Sequence, residues 1–272
     1  MNERNNFDLD LVEQGLSGTE FSGKVKHFPS VTSTSLLALE AAQSGARGGV
    51  YVADEQTAGR GRGDHKWHSS QLDGLYVSTL VTPHIPMDMA LWLPLATALA
   101  AQTAIKETTE LKADIRWPND LLLNGLKCGG ILVESTAIKG DPGTSPMLRY
   151  AVIGVGINLN QQNFPPNLDT IATSLRIAGG VVSREALLVA LLRSLDTEIK
   201  KLIRQFRGTQ NDLGILERFA EASTWVKGKH VRVEEDGGYT GVTDGLDARG
   251  FLRVSGDDGV LRTVFSGGVR AQ

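Results

Sequence analysis

The residues of this chain that could do chemistry begin with a glycine-rich segment, residues 54–63, of sequence DEQTAGRGRG. Its two arginines, Arg60 and Arg62, are separated by a single glycine. Bare backbone amides and guanidinium groups can close together on an anion, and like charges at this spacing are hard to explain unless an anion joins them. The pattern fits neither the nucleotide P-loop nor the dinucleotide fingerprint. It therefore predicts a phosphate-binding loop that becomes ordered on its ligand.

A carboxylate and an amine come close together in a second segment, formed by residues 116–120 (RWPND) and 127–134 (KCGGILVE). The Pro-Asn pair before Asp120 favours a turn. Lys127 precedes two glycines at a predicted strand start, where the bare backbone leaves room for a ligand. Asp120 and Lys127 thus lie at the ends of a short strand-turn-strand, as needed when an acid is activated and then given to an amine. Together with the arginine loop, this pair indicates acyl-adenylate chemistry.

Each of these features also has a purely structural explanation. Glycines serve turns and close packing, and Asn119 and Asp120 could simply cap their turn. A lysine at a strand edge often only prevents edge-to-edge pairing. Trp67, which closes the arginine loop, suits either the core or a platform for an adenine ring. The individual residues leave these alternatives open, and their occurrence together favours a site.

The remaining reactive side chains predict neither a nucleophile nor a metal centre. Cys128 is the only cysteine, which excludes an intramolecular disulfide, and we expect it to behave as a small buried apolar residue. The five histidines show no spacing typical of metal ligands (His27, His65, His68, His84 and His230). We therefore predict no tightly bound metal.

The elements that must position these residues predict an α+β fold, with a mixed sheet, flanking helices and a small C-terminal β-barrel. Apolar patterns favour helices over residues 34–42, 88–110 and 213–222 and one that Ser183 caps, and strands over 48–53, 75–81, 115–117, 130–135 and 148–159. Pro94 either kinks the second helix or marks its true start. Beyond Trp225 short β-like runs alternate with glycine-rich turns. We predict domains at 1–224 and 225–272.

Composition limits the classes of partner. The 272 residues are 41% hydrophobic, enough for a sizeable core, and a net charge of −3 offers no general attraction to nucleic acid. The polar start, Met1 to Asn6, lacks a signal peptide, and the longest apolar stretch, residues 89–104, is too short to cross a bilayer. We expect a cytoplasmic protein that binds neither DNA nor membranes.

In their order and separation, these motifs resemble those of biotin–protein ligases, of the monofunctional type without a DNA-binding domain. Such enzymes make biotinyl-5′-AMP and pass the biotinyl group to a lysine of a carrier domain. The resemblance covers nearly the whole chain, with an SH3-like C-terminal domain. It rests on Ser33-Thr34-Ser35, Gln56 with residues 59–62 and Trp67, residues 117–120, Lys127 with residues 130–134, and residues 154–158.

The resemblance implies a role for each matching residue. It assigns biotin binding to Ser33, Thr34, Ser35, Gln56, Gly59, Arg60, Gly61, Arg62, Lys127 and Gly130. It assigns ATP binding to Arg60, Arg62, Trp67, Asn119, Lys127 and Asn158. The implied catalytic residues are Lys127, which bridges the biotin carboxylate and the α-phosphate, Arg62, and Asp120, which orients or deprotonates the acceptor lysine. ATP with Mg²⁺ is the implied co-substrate.

Three departures from the usual pattern bear on function. Gly63-Asp64-His65 stands where relatives often have a further arginine, which weakens the expected phosphate affinity and ordering of the loop. The C-terminus, residues 267–272, lacks the common Leu-Arg ending, so no site residue is predicted there. About thirty residues precede Ser33, whereas a winged-helix DNA-binding domain needs roughly sixty, so we expect a ligase without repressor activity.

Three other functions compete with biotin ligation. A lipoate or other acyl ligase would use the same lysine with a different acyl pocket, although Gln56 and the paired arginines favour biotin. A non-catalytic regulator would bind biotinyl-AMP without transferring it. A structural module built on the C-terminal barrel would leave both motifs unexplained. The expected acceptor is a biotin carboxyl carrier domain of acetyl-CoA carboxylase or a related carboxylase, and the expected ligase is a monomer or homodimer.

Overall fold

The fold is taken from a computed structural model of the chain, which describes residues 7–63, 65–138, 145–209, 213–235, 237–266 and 268–272. Met1 to Asn6, Asp64 and Gly267, on which sequence predictions were made, lie outside these ranges. The helices are α1 (Leu9–Gly15), α2 (Thr34–Gln43), α3 (Trp92–Thr109), α4 (Arg184–Phe206) and α5 (Ile215–Ala222). The strands are β1 (Val25–Phe28), β2 (Gly49–Ala53), β3 (Gly74–Val81), β4 (Asp114–Arg116), β5 (Asp120–Leu123), β6 (Leu126–Ile138), β7 (Met147–Asn158), β8 (Lys227–Val233), β9 (Tyr239–Leu246), β10 (Leu252–Gly256), β11 (Leu261–Val264) and β12 (Val269–Ala271).

Seven strands form the main sheet, in the order β1-β2-β3-β7-β6-β5-β4. Strands β1 and β2 are parallel and the other pairs are antiparallel, which confirms the predicted mixed sheet. The long central strands β3 and β7 are almost wholly buried because the sheet is covered on both faces.

The two faces of the sheet have different covers. Alternate residues of β2 and β7, such as Val52 and Ile153, join the large core under α3 and α4. Their neighbours Tyr51 and Val152 pack against α2 in a smaller cluster on the opposite face. This alternation follows from the two-residue period of a strand. The face covered by α2 also carries the candidate site.

Two helix starts refine the sequence predictions. The helix expected from Asp88 begins at Trp92, after a 3₁₀ turn at Met87–Leu91, and Pro94 lies in its first turn, where no amide donor is required. Ser183 caps α4 as predicted, since its hydroxyl accepts from the Ala186 amide at 3.1 Å. Ser33 precedes α2 but makes no capping hydrogen bond. Helix α1 and strands β1 and β12 were not predicted.

The C-terminal strands form a five-stranded antiparallel sheet, ordered β11-β10-β9-β8-β12, as expected for an SH3-like domain. Two tryptophans from the N-terminal part of the chain contact this sheet: Trp92 Nε1 donates to the Arg249 carbonyl and Trp117 Nε1 to the Gly250 carbonyl, each at 2.9 Å. The second sheet is thereby fixed beside residues 116–120. In the described part of the chain, no helix is long and apolar enough to cross a membrane.

Candidate active site

Glycines of the central strands leave free space above the sheet, which forms the floor of the site. Gly130 of β6 pairs directly with Gly156 of β7, and Gly154 lies two residues earlier on the same face. A methyl group on Gly156 would lie 2.5 Å from Trp67 Nε1, and one on Gly154 would lie 2.8 Å from the Ser35 hydroxyl. Side chains at these positions would displace the walls of the site. The glycines therefore let Trp67 and the start of α2 lie close against the sheet.

One end of the site is an uncharged hydrogen-bonding network at the N-terminus of α2. The Gln56 Oε1 atom accepts from the Thr34 amide at 3.0 Å and from the Thr34 hydroxyl at 3.1 Å. The Thr34 and Ser35 hydroxyls lie 2.8 and 3.0 Å from the hydroxyl of Ser78 on β3. Gln56 Nε2 donates to the Ser69 hydroxyl at 2.9 Å. This network offers several neutral donors and acceptors, which suit a polar but uncharged group such as a cyclic urea.

Two of the predicted biotin-binding residues, Ser33 and Gly59, adjoin this network. Ser33 is buried, and its hydroxyl has no hydrogen-bond partner within the described part of the chain. Gly59 allows close packing, because a methyl group there would lie 2.5 Å from the Trp67 carbonyl oxygen. Gly59 thus shapes the loop, and neither residue lines the cavity described below.

The arginine loop is a short hairpin. Arg60 and Lys66 face each other in an antiparallel bridge, the Gly61 amide donates to the His65 carbonyl at 2.8 Å, and Trp67 donates back to Gly59 at 2.9 Å. Arg62 lies at the hairpin tip. Arg60 forms a two-pronged ion pair with Glu134 of β6, with both N–O distances at 2.9 Å. The Arg62 guanidinium lies 3.4 Å from the Asn119 side-chain oxygen.

Asp120 holds two cations at the other end of the site. Its Oδ1 atom lies 2.5 Å from Lys127 Nζ, and its Oδ2 atom lies 2.6 Å from a terminal nitrogen of Arg116 and 3.2 Å from Arg116 Nε. The register explains this contact, because Asp120 pairs with Arg116 across β4 and β5 and with Gly130 across β5 and β6. The predicted pairing of Asp120 with Lys127 is present.

The pKa shifts follow from this arrangement. Burial raises the pKa of the Asp120 carboxyl group, but the charges and hydrogen bonds of Lys127 and Arg116 outweigh it and hold the pKa below its usual range. Burial lowers the pKa of the Arg62 guanidinium, partly offset by the carboxylates of Asp120 and Glu235. Arginine still stays charged near neutral pH. Asp120 is thus a fixed anion, and Lys127 and Arg62 are cations directed into the site.

The asparagines and Trp67 complete the walls. Asn119 donates to the Ile131 carbonyl at 2.7 Å, which leaves its oxygen facing Arg62. Asn158, at the end of β7, donates to the Thr173 carbonyl at 2.9 Å. The Trp67 ring lies 5.6 Å from Lys127 Nζ in a cation–π contact, and its indole N–H has no partner among the described residues.

These walls enclose a cavity of about 580 Å³. It brings together twelve of the fourteen predicted site residues: Thr34, Ser35, Gln56, Arg60, Gly61, Arg62, Trp67, Asn119, Asp120, Lys127, Gly130 and Asn158. The C-terminal sheet supplies one rim, where Arg270 Nε lies 2.7 Å from Glu234 Oε1. A cavity of this size accommodates a ligand of several hundred daltons.

Sequence reasoning missed three groups of lining or supporting residues. Ser78 gave a signal, since Ser78 and Thr79 are the polar side chains of an otherwise apolar strand. Arg116 lay inside a recognised motif but received no role. No signal in the sequence pointed to Glu234 or Arg270. No site residue was predicted in residues 267–272, but Arg270 lies on the cavity rim.

Neither the cysteine nor the acidic residues form a second reactive centre. Burial raises the pKa of the Cys128 thiol to about 12, and its sulfur lies against the Leu121 carbonyl on the core side of the sheet. Within the described ranges no three His, Cys, Asp or Glu side chains come close enough to hold a metal. The chemistry available is therefore cationic stabilisation of an anion at Lys127 and Arg62, beside a neutral binding network.

Comparison with known proteins gives two family matches. Residues 27–158 match the biotin/lipoate A/B protein ligase family, and residues 227–269 match the biotin protein ligase C-terminal domain. The first range contains every predicted site residue, from Ser33 to Asn158.

Named relatives and solved structures agree with these matches. The bifunctional ligase/repressor BirA of Bacillus subtilis is 42% identical over 55% of this chain, an alignment that covers 45% of its own length. The biotin–(acetyl-CoA-carboxylase) ligase of Mycobacterium tuberculosis is 32% identical over 81% of this chain and 78% of its own. The structure of the biotin protein ligase from Aquifex aeolicus in complex with biotin and ATP aligns with a TM-score of 0.70 at 27% identity, covering 91% of this chain and 98% of that one.

Proposed function

This chain belongs to the biotin/lipoate A/B protein ligase family, and we propose that it activates biotin with ATP and transfers the biotinyl group to a lysine of a carrier domain. One observation carries the proposal: a lysine fixed by a buried carboxylate lines the same cavity as a neutral hydrogen-bonding network and a cationic hairpin. An acid bound in the pocket would present its carboxylate to Lys127. A nucleotide triphosphate bound beside it would meet Arg62.

In the first half-reaction, a biotin carboxylate oxygen attacks the α-phosphorus of ATP. A bond forms between them, the bond to the β,γ-pyrophosphate breaks, and pyrophosphate leaves with its electron pair. Both reactants are anions, so their approach needs positive charge at the reacting atoms. Lys127 supplies that charge between the carboxylate and the α-phosphate, and Arg62 supplies it beside the phosphates. The Trp67 ring would then lie beside the adenine.

In the second half-reaction, the acceptor lysine attacks the mixed anhydride, an amide bond forms, and AMP leaves. The acceptor amine must lose a proton before or during this step, and that proton passes to solvent. Asp120 is a poor proton acceptor because Lys127 and Arg116 keep its pKa low. Of its two predicted roles, the geometry supports orientation, with Asp120 fixing Lys127 and the incoming amine, rather than deprotonation.

Mg²⁺ is proposed as a companion of the triphosphate rather than a resident metal. It would neutralise the charge on the departing pyrophosphate. The side chains of this chain perform the positioning and the charge stabilisation at Lys127.

The pocket favours biotin over lipoate. The uncharged network of Thr34, Gln56 and Ser78 matches the donors and acceptors of a ureido ring, whereas the dithiolane ring of lipoate offers none. Biotin can therefore form hydrogen bonds with this network, whereas the ring of lipoate gains none there. The proposed acceptor is a biotin carboxyl carrier domain, in line with the name of the Mycobacterium tuberculosis relative.

The test combines the purified protein with ATP, Mg²⁺, biotin and a biotin carrier domain, and follows the carrier by intact mass spectrometry. We expect a mass gain of one biotinyl group that disappears with Lys127→Ala. Lys200→Ala is the matched control, since Lys200 also pairs with a carboxylate but lies on α4 away from the cavity. This control should keep wild-type activity.

Three outcomes would contradict the proposal in different ways. If a lipoyl domain gained the mass of a lipoyl group, and the biotin carrier domain gained no biotinyl group, the acyl substrate would be lipoate and not biotin. Biotin and ATP binding without transfer to any carrier would indicate a regulator that only binds. An undiminished gain with Lys127→Ala would remove the lysine from the mechanism.

A further inference from the structure

Glu134 is conspicuous because it engages one of the two loop arginines although no ligand role has been assigned to it. Both terminal nitrogens of Arg60 lie 2.9 Å from the two Glu134 oxygens, a geometry that is stronger than that of a single-contact ion pair. Glu134 lies on β6 four residues after Gly130, on the same face of the sheet. The carboxylate therefore belongs to the rigid floor, while the arginine belongs to the hairpin.

The two arginines have different positions in the hairpin, which indicates different roles. Arg60 contacts Glu134 on β6, and Arg62 contacts Asn119, the residue before β5, so both arginines are directed toward the main sheet. Arg60 lies in the hairpin stem, where it bridges to Lys66, and its charge is neutralised by Glu134. Arg62 lies at the tip, against the neutral oxygen of Asn119 at 3.4 Å. Within the described ranges, the tip arginine faces the cavity with no carboxylate bound to its guanidinium.

We infer that Glu134 is a positioning residue, which anchors the hairpin through Arg60 so that Arg62 is held over the phosphate side of the cavity. Arg60 acts through this pair rather than as an independent ligand of the nucleotide. The identity of the ligand in this inference rests on the proposed function. The contact between Glu134 and Arg60 does not depend on it. In a loop this rich in glycine, a fixed point is needed because the backbone itself offers little order.

The anchor has a consequence for the reaction intermediate. A hairpin closed over biotinyl-AMP shields it from water and from release until the carrier arrives. Loss of the anchor would raise the fraction of time that the hairpin is open. The intermediate would then leave earlier, while the neutral biotin pocket would be unchanged.

The test is a double-mutant cycle with Arg60→Gln, Glu134→Gln and the double variant. Two quantities are measured: hydrogen exchange of the backbone amides of residues 57–67 in the ligand-free protein, and the half-life of biotinyl-AMP on the enzyme. We expect each single variant to exchange faster and to release the intermediate roughly fivefold sooner, and the double variant to be no worse than either. A charge swap, R60E with E134R, should restore both quantities in part.

Asp258→Asn is the matched control. Asp258 forms a two-pronged pair with Arg262 in the C-terminal sheet, outside the cavity, and its loss should leave both quantities unchanged. Additive losses in the cycle, with no recovery in the swap, would overturn the inference and make Arg60 a direct ligand. If wild type formed no biotinyl-AMP, the proposed function would fail, and the ligand-free exchange data would still decide whether the anchor exists.

Discussion

The two ends of the cavity differ in the charge of the side chains that line them. At the α2 end, Thr34, Gln56 and Ser78 form a network of neutral hydrogen bonds in which each polar group already has a partner. At the other end, Asp120 and Lys127 form a charged pair next to Arg62, which no carboxylate of the described residues contacts directly. The first end is built for recognition and the second for charge stabilisation.

The difference indicates how binding and reactivity are separated in one cavity. A neutral, satisfied network changes little when a polar ligand replaces its internal hydrogen bonds, so it can be formed before the ligand arrives. Cations held beside a reacting anion act mainly on the transition state. Variants at the two ends should therefore change different kinetic constants.

The largest effect should come from the charged end. Lys127→Ala removes the cation between the two reacting anions, and we expect the rate of biotinyl-AMP formation to fall roughly 100- to 1,000-fold, as for other losses of a charge-stabilising group. The measurement is single-turnover formation of biotinyl-AMP at saturating biotin and ATP. A fall confined to KM would show that Lys127 serves binding, and the contrast between the two ends would be lost.

Asp120→Asn should have the next largest effect. The change leaves Lys127 and Arg116 without their shared anion, and we expect transfer from pre-made biotinyl-AMP to slow by roughly 10- to 100-fold and the free energy of unfolding to fall by about 3 kcal/mol. Quench-flow transfer assays and urea titrations measure the two losses. Normal transfer by Asp120→Asn would show that the carboxylate has no part in the second half-reaction.

The same variant gives a pH test with a defined sign. The folded pKa of Asp120 lies below its unfolded value of about 3.9, so the stabilisation is fully present above that value and is lost as pH falls through the folded pKa. The stability difference between wild type and Asp120→Asn should be constant from about pH 6 to 8 and shrink below about pH 4. A difference that grows on acidification would contradict the lowered pKa.

A smaller effect is expected at the neutral end. Thr34→Val keeps the side-chain volume but removes the hydroxyl between Gln56 and Ser78, and we expect KM for biotin to rise roughly 10-fold with kcat unchanged. Steady-state kinetics with varied biotin measure both constants. Thr108→Val, on α3, is the matched control. A fall in kcat with KM unchanged would place Thr34 at the reacting end.

The smallest effect should come from Ser78→Ala. This hydroxyl supports Thr34 and Ser35, and its loss should raise KM for biotin roughly threefold and cost about 1 kcal/mol of stability. Thr79→Val provides the control on the same strand, because the buried Thr79 hydroxyl has no partner in the described part of the protein and points to the opposite face. A stability loss in Thr79→Val at least as large as in Ser78→Ala would remove the special role of the Ser78 network.

Local signals made much of the fold predictable. The apolar and β-branched run in residues 75–81, the cap at Ser183 and the glycine-broken runs beyond Trp225 each reflect short-range rules, and the elements appear close to where these rules place them. Strand β1 was missed because its mixed sequence, Val-Lys-His-Phe, is stabilised by parallel pairing with β2, a long-range contact. The sequence left open whether Pro94 kinks the helix or marks its start. The structure has a 3₁₀ turn at Met87–Leu91 and begins the helix at Trp92, so Pro94 lies in its first turn.

The site was predictable where chemistry and spacing coincide in one motif. Asp120 and Lys127 are seven residues apart, so their contact follows from one turn. The Arg60–Glu134 pair and the approach of Arg270 to the cavity depend on how distant segments meet, which no local pattern encodes. For Ser33 the motif predicts a ligand contact; its hydroxyl is buried, has no partner among the described residues and is not part of the cavity lining, so the contact stays a prediction.

The most direct test of a cavity divided into recognition and activation is exchange of labelled pyrophosphate into ATP, measured without any acceptor protein. We predict exchange by the wild type only when biotin is present, at least 100-fold less with Lys127→Ala, and near-normal maximal exchange with Thr34→Val once biotin is saturating. Exchange that proceeds equally with lipoate, or that Thr34→Val abolishes while Lys127→Ala preserves it, would contradict the division between the two ends.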